Sequence, residues 1–204
     1  MTPKVEFHFD FGSPNAYFSH RVIPGIEQRT GVKFTYVPIL LGGVFKLTNN
    51  QSPITQFKEV KNKLPYGLIE SRRFIKKHGL TKFQMNPNFP INTVQIMRGA
   101  VAAEMDGQLP KYVEAVFVAV WEAGKKMDDP DVIRAELDAA GLDGARTLAR
   151  IQEQDVKDKL LKNTEGSVAR GTFGTPTFYV GEEIYFGKDK LRDVEEEILA
   201  QKAA

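Results

Sequence analysis

Phe9-Asp10-Phe11-Gly12-Ser13-Pro14-Asn15-Ala16-Tyr17 carries an apolar strand through a tight turn into a helix, and the fold follows from where that junction sits. Gly12 has the permissive backbone a turn needs, Ser13 is a favoured residue just ahead of a helix, and Pro14 suits a first helical position because its missing N–H loses nothing there. A helix is therefore expected to start at Ser13. Free N–H groups and the positive end of the helix dipole make such a start a place for an anion, and the serine hydroxyl adds a donor. An ordinary capping serine would look the same, and the motif alone does not separate the two roles.

On the upstream side, Val5, Phe7, Phe9 and Phe11 alternate with Glu6, His8 and Asp10, the period-two pattern of a strand with one buried face and His8 on the polar phase. Downstream, Tyr17, Phe18, Val22, Ile23 and Ile26 form a helical stripe to about Arg29, which Pro24 is expected to kink or break and Thr30-Gly31 to end. Strand formers return from Val32 to Pro38. Strand, helix, strand in this order predicts a parallel βαβ unit.

The middle of the chain changes character. After a loop expected from Leu40 to Phe45, containing Leu40-Leu41-Gly42-Gly43, and a polar turn over Thr48 to Pro53, helical patterning runs to Gly171. Val113, Val116, Phe117, Val120 and Trp121 follow a helix-starting Pro110 at core spacing. Asp129-Pro130 starts another helix that Gly141 ends, Asp143 caps a third, and the alternating charges from Gln152 to Lys162 are the wet face of a fourth. Strands resume at Thr177–Val180 and Ile184–Phe186, a hairpin, and Leu191, Val194 and Ile198 space a last helix. The predicted fold is α/β: a βαβ…ββα domain over 1–47 and 165–204 with an inserted all-α domain over 48–164. Neither half has enough apolar surface to stand alone, so both are expected to complete one sheet.

The 204 residues include 28 basic and 26 acidic side chains, a formal charge of +2, which leaves no electrostatic footprint for nucleic acid or an anionic membrane and points to a small-molecule partner. No signal-like apolar segment opens the chain and no later run is long enough for a membrane span, so a soluble, cytoplasmic protein is expected. There is no cysteine, which excludes disulfides, thiolate metal sites and dithiol chemistry by the protein's own side chains. Any thiol must come from a ligand. His8, His20 and His78 match no ligand spacing, and no metal site is expected.

Gly174-Thr175-Pro176-Thr177 stands directly before the hairpin. The arrangement resembles a thioredoxin fold, in which a cis-proline faces the start of the first helix; a cis Thr175–Pro176 bond is expected, with Thr175 offering its backbone to an extended peptide. The chain further resembles the family of 2-hydroxychromene-2-carboxylate isomerases and kappa-class glutathione transferases. Four stretches carry this: Phe9-Asp10-Phe11-Gly12-Ser13-Pro14, Leu40-Leu41-Gly42-Gly43, Gly171-Thr172-Phe173-Gly174-Thr175-Pro176-Thr177 and Phe186-Gly187-Lys188-Asp189.

That resemblance implies bound glutathione as cofactor. Ser13 matches the catalytic serine that donates to the glutathione sulfur, and Thr175 and Pro176 match the segment that pairs with its cysteinyl backbone. Asp189 matches an acid receiving the γ-glutamyl ammonium, a position that equally suits an N-cap, with Lys188 beside it for the γ-glutamyl carboxylate. Asn50 matches a glutathione-contacting asparagine, and Lys63 a lysine for the glycyl carboxylate, with Lys58 and Lys61 close by. The implied activity is glutathione-dependent interconversion of 2-hydroxychromene-2-carboxylate and trans-o-hydroxybenzylidenepyruvate, or a close aromatic analogue, by reversible thiolate addition. A homodimer is implied by resemblance only. Two other readings remain open at this point: a transferase conjugating glutathione to electrophiles, and a non-catalytic thioredoxin-like binding protein.

Overall fold

A computed structural model of the chain describes residues 2–203. Strands β1 (Val5–Phe9), β2 (Phe34–Pro38), β3 (Thr177–Val180) and β4 (Glu183–Phe186) form one sheet in the order β2-β1-β3-β4. β2 runs parallel to β1, β3 antiparallel to β1, and β4 antiparallel to β3. Val5 is flanked by Phe34 on one side and Val180 on the other, so the two ends of the chain meet on β1. This is the thioredoxin-like α/β sheet expected from the strand order.

Helices α1 (Pro14–Thr30) and α10 (Leu191–Ala203) share one face, where the Arg29 guanidinium reaches Glu195 at 2.6 Å and Lys202 Nζ donates to the Thr30 carbonyl at 2.5 Å. Between β2 and β3 lie α2 (Leu41–Leu47), α3 (Pro53–Gln56), α4 (Lys63–His78), α5 (Val94–Met105), α6 (Leu109–Trp121), α7 (Pro130–Ala139), α8 (Gly144–Arg150) and α9 (Gln154–Ala169). The α6 stripe is fully buried, and Phe117 meets both Phe9 and Phe11, with ring centroids 5.8 and 4.8 Å apart. Sheet and helical segment therefore share one apolar core. Division of the chain at 47/48 and 164/165 stays a proposal from topology; α9 runs through the second boundary.

Three local expectations differ from what forms. Helix α1 continues through Pro24 without a break, because Ile23 and Ile26 on either side are buried and hold the turn in place. Leu40 to Phe45 is largely helix, not loop: Asp10 accepts from the Leu41 N–H at 2.8 Å and Thr164 Oγ1 accepts from Leu40 N at 3.0 Å, anchoring the start of α2. β1 is buried on both faces. Phe7 and Phe9 pack toward α1 and α6, while Glu6 and His8 lie under α9, with Arg170 on Glu6 at 2.5 Å and Ser167 Oγ 2.8 Å from His8 Nδ1.

Burial holds the His8 imidazole down to about 4, against an ordinary 6.5. The unfolded chain takes up this proton near pH 6.5 and the folded chain only near 4, so the stability is fully present above pH 6.5 and is lost as the pH falls toward 4. Urea unfolding at pH 7 and pH 4.5 should show wild type losing about 2–3 kcal/mol more than His8→Phe. Equal losses would show that His8 does not titrate on unfolding.

Candidate active site

β1 ends at Phe9 and the chain turns through Asp10, Phe11 and Gly12 into α1. The Asp10 carboxylate is completely buried and gathers this turn: it accepts from Gly12 N at 2.8 Å, Leu41 N at 2.8 Å and Thr93 Oγ1 at 3.1 Å. Burial pushes its pKa up, and the three donors act in the opposite sense. Trp121 Nε1 donates to the Phe11 carbonyl at 2.8 Å from the other side. The turn is tight at Gly12, where a Cβ would stand 3.0 Å from Thr93 Cγ2 and press on that side chain.

Ser13 emerges from this clamp as the N-cap of α1, at φ −97° and ψ 114°. Its N–H donates to Asp10 O at 3.1 Å, and its Oγ accepts from Ala16 N at 3.2 Å. The same Oγ donates to the Thr175 carbonyl at 3.1 Å, 162 residues away. The Thr175–Pro176 bond is cis. Thr175 Oγ1 is buried beside this contact and has no hydrogen-bond partner among the described residues.

Other groups gather on the same segment. Asn50 Nδ2 donates to the Phe173 carbonyl at 2.9 Å. Gly187 N donates to the Pro176 carbonyl at 2.9 Å, which brings the one-turn helix Lys188–Lys190 against the cis-proline segment. Asp189 lies within that turn, and α10 follows only at Leu191, so the capping role open to it in sequence is not what its carboxylate does: it accepts from Lys188 Nζ at 2.7 Å. Lys188 is buried, its Nζ also 5.1 Å from the Phe74 ring, so its charge is committed to Asp189 and Phe74 and does not reach outward. A cavity of about 440 Å³ opens beside this pair, lined also by Val22 and Ile26 of α1 and Arg73 and Phe74 of α4.

The structure thus assembles Ser13, Thr175, Pro176 and Asn50 around one segment, with Lys188 and Asp189 at its edge. Lys63 stands apart at the exposed start of α4, its Nζ 5.3 Å from the Phe57 ring. Asp10, Thr93 and Trp121 hold the turn that leads into Ser13, a role that pattern reading missed. An acid set among phenylalanines directly before Gly-Ser-Pro was the available signal for Asp10; nothing local marked the other two.

An anion placed at Ser13 would meet the hydroxyl and the positive end of a 17-residue helix. The orphaned Thr175 hydroxyl is a further donor. A thiolate fits this donor set, and the chain has no cysteine to supply one.

A family model described as a DSBA-like thioredoxin domain matches residues 4–199. The 2-hydroxychromene-2-carboxylate isomerase of Pseudomonas putida is 26% identical over 189 residues, 92% of this chain and 90% of that protein. Glutathione S-transferase kappa 1 of Rattus norvegicus is 27% identical over 203 residues, covering 93% and 88%. The solved structure of a 2-hydroxychromene-2-carboxylate isomerase superposes with a TM-score of 0.83 at 25% identity, over 98% of this chain and 97% of that one.

Proposed function

The chain belongs to the DSBA-like thioredoxin domain family, and from that membership and the Ser13 site we propose that it is a glutathione-dependent isomerase of small aromatic compounds. Its substrate in this reading is 2-hydroxychromene-2-carboxylate or a close analogue, interconverted with the trans-o-hydroxybenzylidenepyruvate form. The observation that carries the reading is the Ser13 hydroxyl on the Thr175 carbonyl at the head of α1, in a chain without cysteine. Relatives named as isomerases and as kappa glutathione transferases, each spanning nearly the whole chain, support it.

Bound glutathione supplies the thiol nucleophile. Ser13 and the first turn of α1 hold negative charge at the sulfur position, and Thr175 presents backbone to the cysteinyl portion. Asp189 receives the ammonium at the γ-glutamyl end, while its present partner Lys188 stays buried on the inner side of that carboxylate. Asn50 steadies the Phe173–Pro176 segment through the Phe173 carbonyl. Lys63, on α4, is the more distant candidate for the glycyl carboxylate.

Absorbance-monitored isomerisation with catalytic glutathione, and then with none, tests the reading. Turnover that requires glutathione and leaves its thiol titre unchanged supports an isomerase; thiol lost in step with product would make the protein a transferase. Titration calorimetry of Asp189→Ala is expected to give a glutathione Kd weakened about tenfold, the scale of one charge-assisted contact. An unchanged Kd would remove Asp189 from the site.

A further inference from the structure

Ser13 makes two hydrogen bonds through one oxygen, accepting from Ala16 N and donating to the Thr175 carbonyl, so what its hydroxyl can reach depends on where the surrounding turn sits. Two consecutive residues at the C-terminal end of α6 reach that turn from its two sides. Trp121 Nε1 donates to the carbonyl of Phe11, ahead of Ser13 in the chain, at 2.8 Å. The Glu122 carboxylate accepts from Tyr17 Oη, in the first turns of α1 behind Ser13, at 3.0 Å, and from the Arg21 guanidinium one helical turn further on. Successive helix residues point about 100° apart, so the two contacts restrain the turn along different directions.

The end of α6 is itself anchored. Gln84 N donates to the Trp121 carbonyl at 2.8 Å, and Asn86 Nδ2 donates to the Val120 and Lys125 carbonyls at 2.9 and 2.8 Å. The Trp121 ring is fully buried and packs on Phe83 and Phe89, each centroid 5.9 Å away. The Tyr17 side chain is buried as well. A buried carboxylate held by a phenol and a guanidinium adds little net stability over an apolar cluster of the same size. What it adds here is register.

We propose that Trp121 and Glu122 are positioning residues for the reaction at Ser13. The end of α6 holds Phe11 on one side of the serine and Tyr17 on the other, and so keeps the hydroxyl aimed at the place of the glutathione sulfur. The proposal rests on the glutathione reading of the site. It makes the helical insertion part of the thiolate-stabilising apparatus and not only a cover for the sheet. A misplacement of about 1 Å in such a group costs up to about 10²-fold in rate, while backbone pairing of the ligand at Thr175 is left in place.

Steady-state kinetics with calorimetric glutathione Kd test this on Trp121→Phe, Tyr17→Phe and Glu122→Leu, each alone and combined with Ser13→Ala. Each single variant is expected to lower kcat about five- to thirtyfold, with Kd changed less than about threefold. On Ser13→Ala the same changes should lower kcat less than about twofold further, because they act through the hydroxyl. Glu122→Gln keeps an acceptor for Tyr17 Oη and should retain kcat within about threefold of wild type. Losses that multiply in full on Ser13→Ala, equal losses in Glu122→Leu and Glu122→Gln, or wild-type kcat in all the single variants would overturn the proposal. Should Trp121→Phe fail to fold, the Tyr17 and Glu122 variants decide. Absence of glutathione-dependent turnover in the wild-type protein would count against the glutathione reading alone, and the grip on Ser13 is then read from crystal structures of Glu122→Leu and Tyr17→Phe. A Ser13 Oγ to Thr175 O separation beyond about 3.5 Å supports it, and an unchanged contact overturns it.

Discussion

Ser13→Ala is expected to lower glutathione-dependent turnover by about 10²–10³-fold, the scale for removing one donor from a charge-stabilising site. The free thiol of glutathione titrates near 8.5, and a depression of about two units at the head of α1 corresponds to roughly 2.7 kcal/mol of preference for thiolate. The hydroxyl that would provide part of this is occupied in the free protein, donating to the Thr175 carbonyl at 3.1 Å. An incoming cysteinyl N–H can take over that carbonyl and release the hydroxyl toward sulfur, so binding exchanges one hydrogen bond for another and leaves none unmade. Affinity should therefore fall far less than turnover. Steady-state kinetics with calorimetric Kd, and thiolate absorbance of bound glutathione against pH, separate the two. A loss in turnover below threefold, with no rise in thiol pKa, would reduce Ser13 to a helix cap.

A comparably large effect is expected on stability at Asp10. Asp10→Leu should lower the unfolding free energy by about 2–6 kcal/mol, because the Gly12 and Leu41 N–H groups both lose their acceptor in a fully buried place, at about 1–3 kcal/mol each. Release of a buried charge works against this loss but does not restore the two bonds. Asp10→Asn keeps one acceptor oxygen, and its amide nitrogen then faces a donor, so the loss should be smaller, about 1–3 kcal/mol. Thr93 also loses its acceptor and frees the start of α5 from the turn. Chemical denaturation of both variants gives the ordering; wild-type stability in Asp10→Leu would show that the carboxylate does not tie these segments together.

Much of the fold was readable because its boundaries are marked by residues with strong local physics. Pro14, Asp129-Pro130, Asp143 and Gly31 mark helix ends, and they do so where the structure has them. What was not readable depends on distant partners. The alternation in β1 predicts one wet face, but α9, some 160 residues further on, covers it and buries Glu6 and His8. Gly42-Gly43 looks like a loop, yet Asp10 and Thr164 pin the first turn of a helix there.

The same division runs through the site. Ser13 and Thr175-Pro176 are marked by turn chemistry at fixed places in the strand order, and the structure brings them into hydrogen-bond contact. Lysines carry no such mark: Lys188 turns inward onto Asp189 and Phe74, and Lys63 rests over Phe57. Their roles depend on where a flexible chain finds charge.

The pairing of Val5 with Val180 sets a timetable for the nascent chain. At about 5–20 residues per second, roughly 9–35 s separate synthesis of β1 from that of the strand that completes its far side. β2 arrives early, so in the interval β1 is an open edge carrying Phe7 and Phe9, while the intervening helices can already form from local contacts. Translation that slows before residue 180 would lengthen the life of that edge, and a trigger-type chaperone acting on nascent chains is where this protein's yield should be most sensitive.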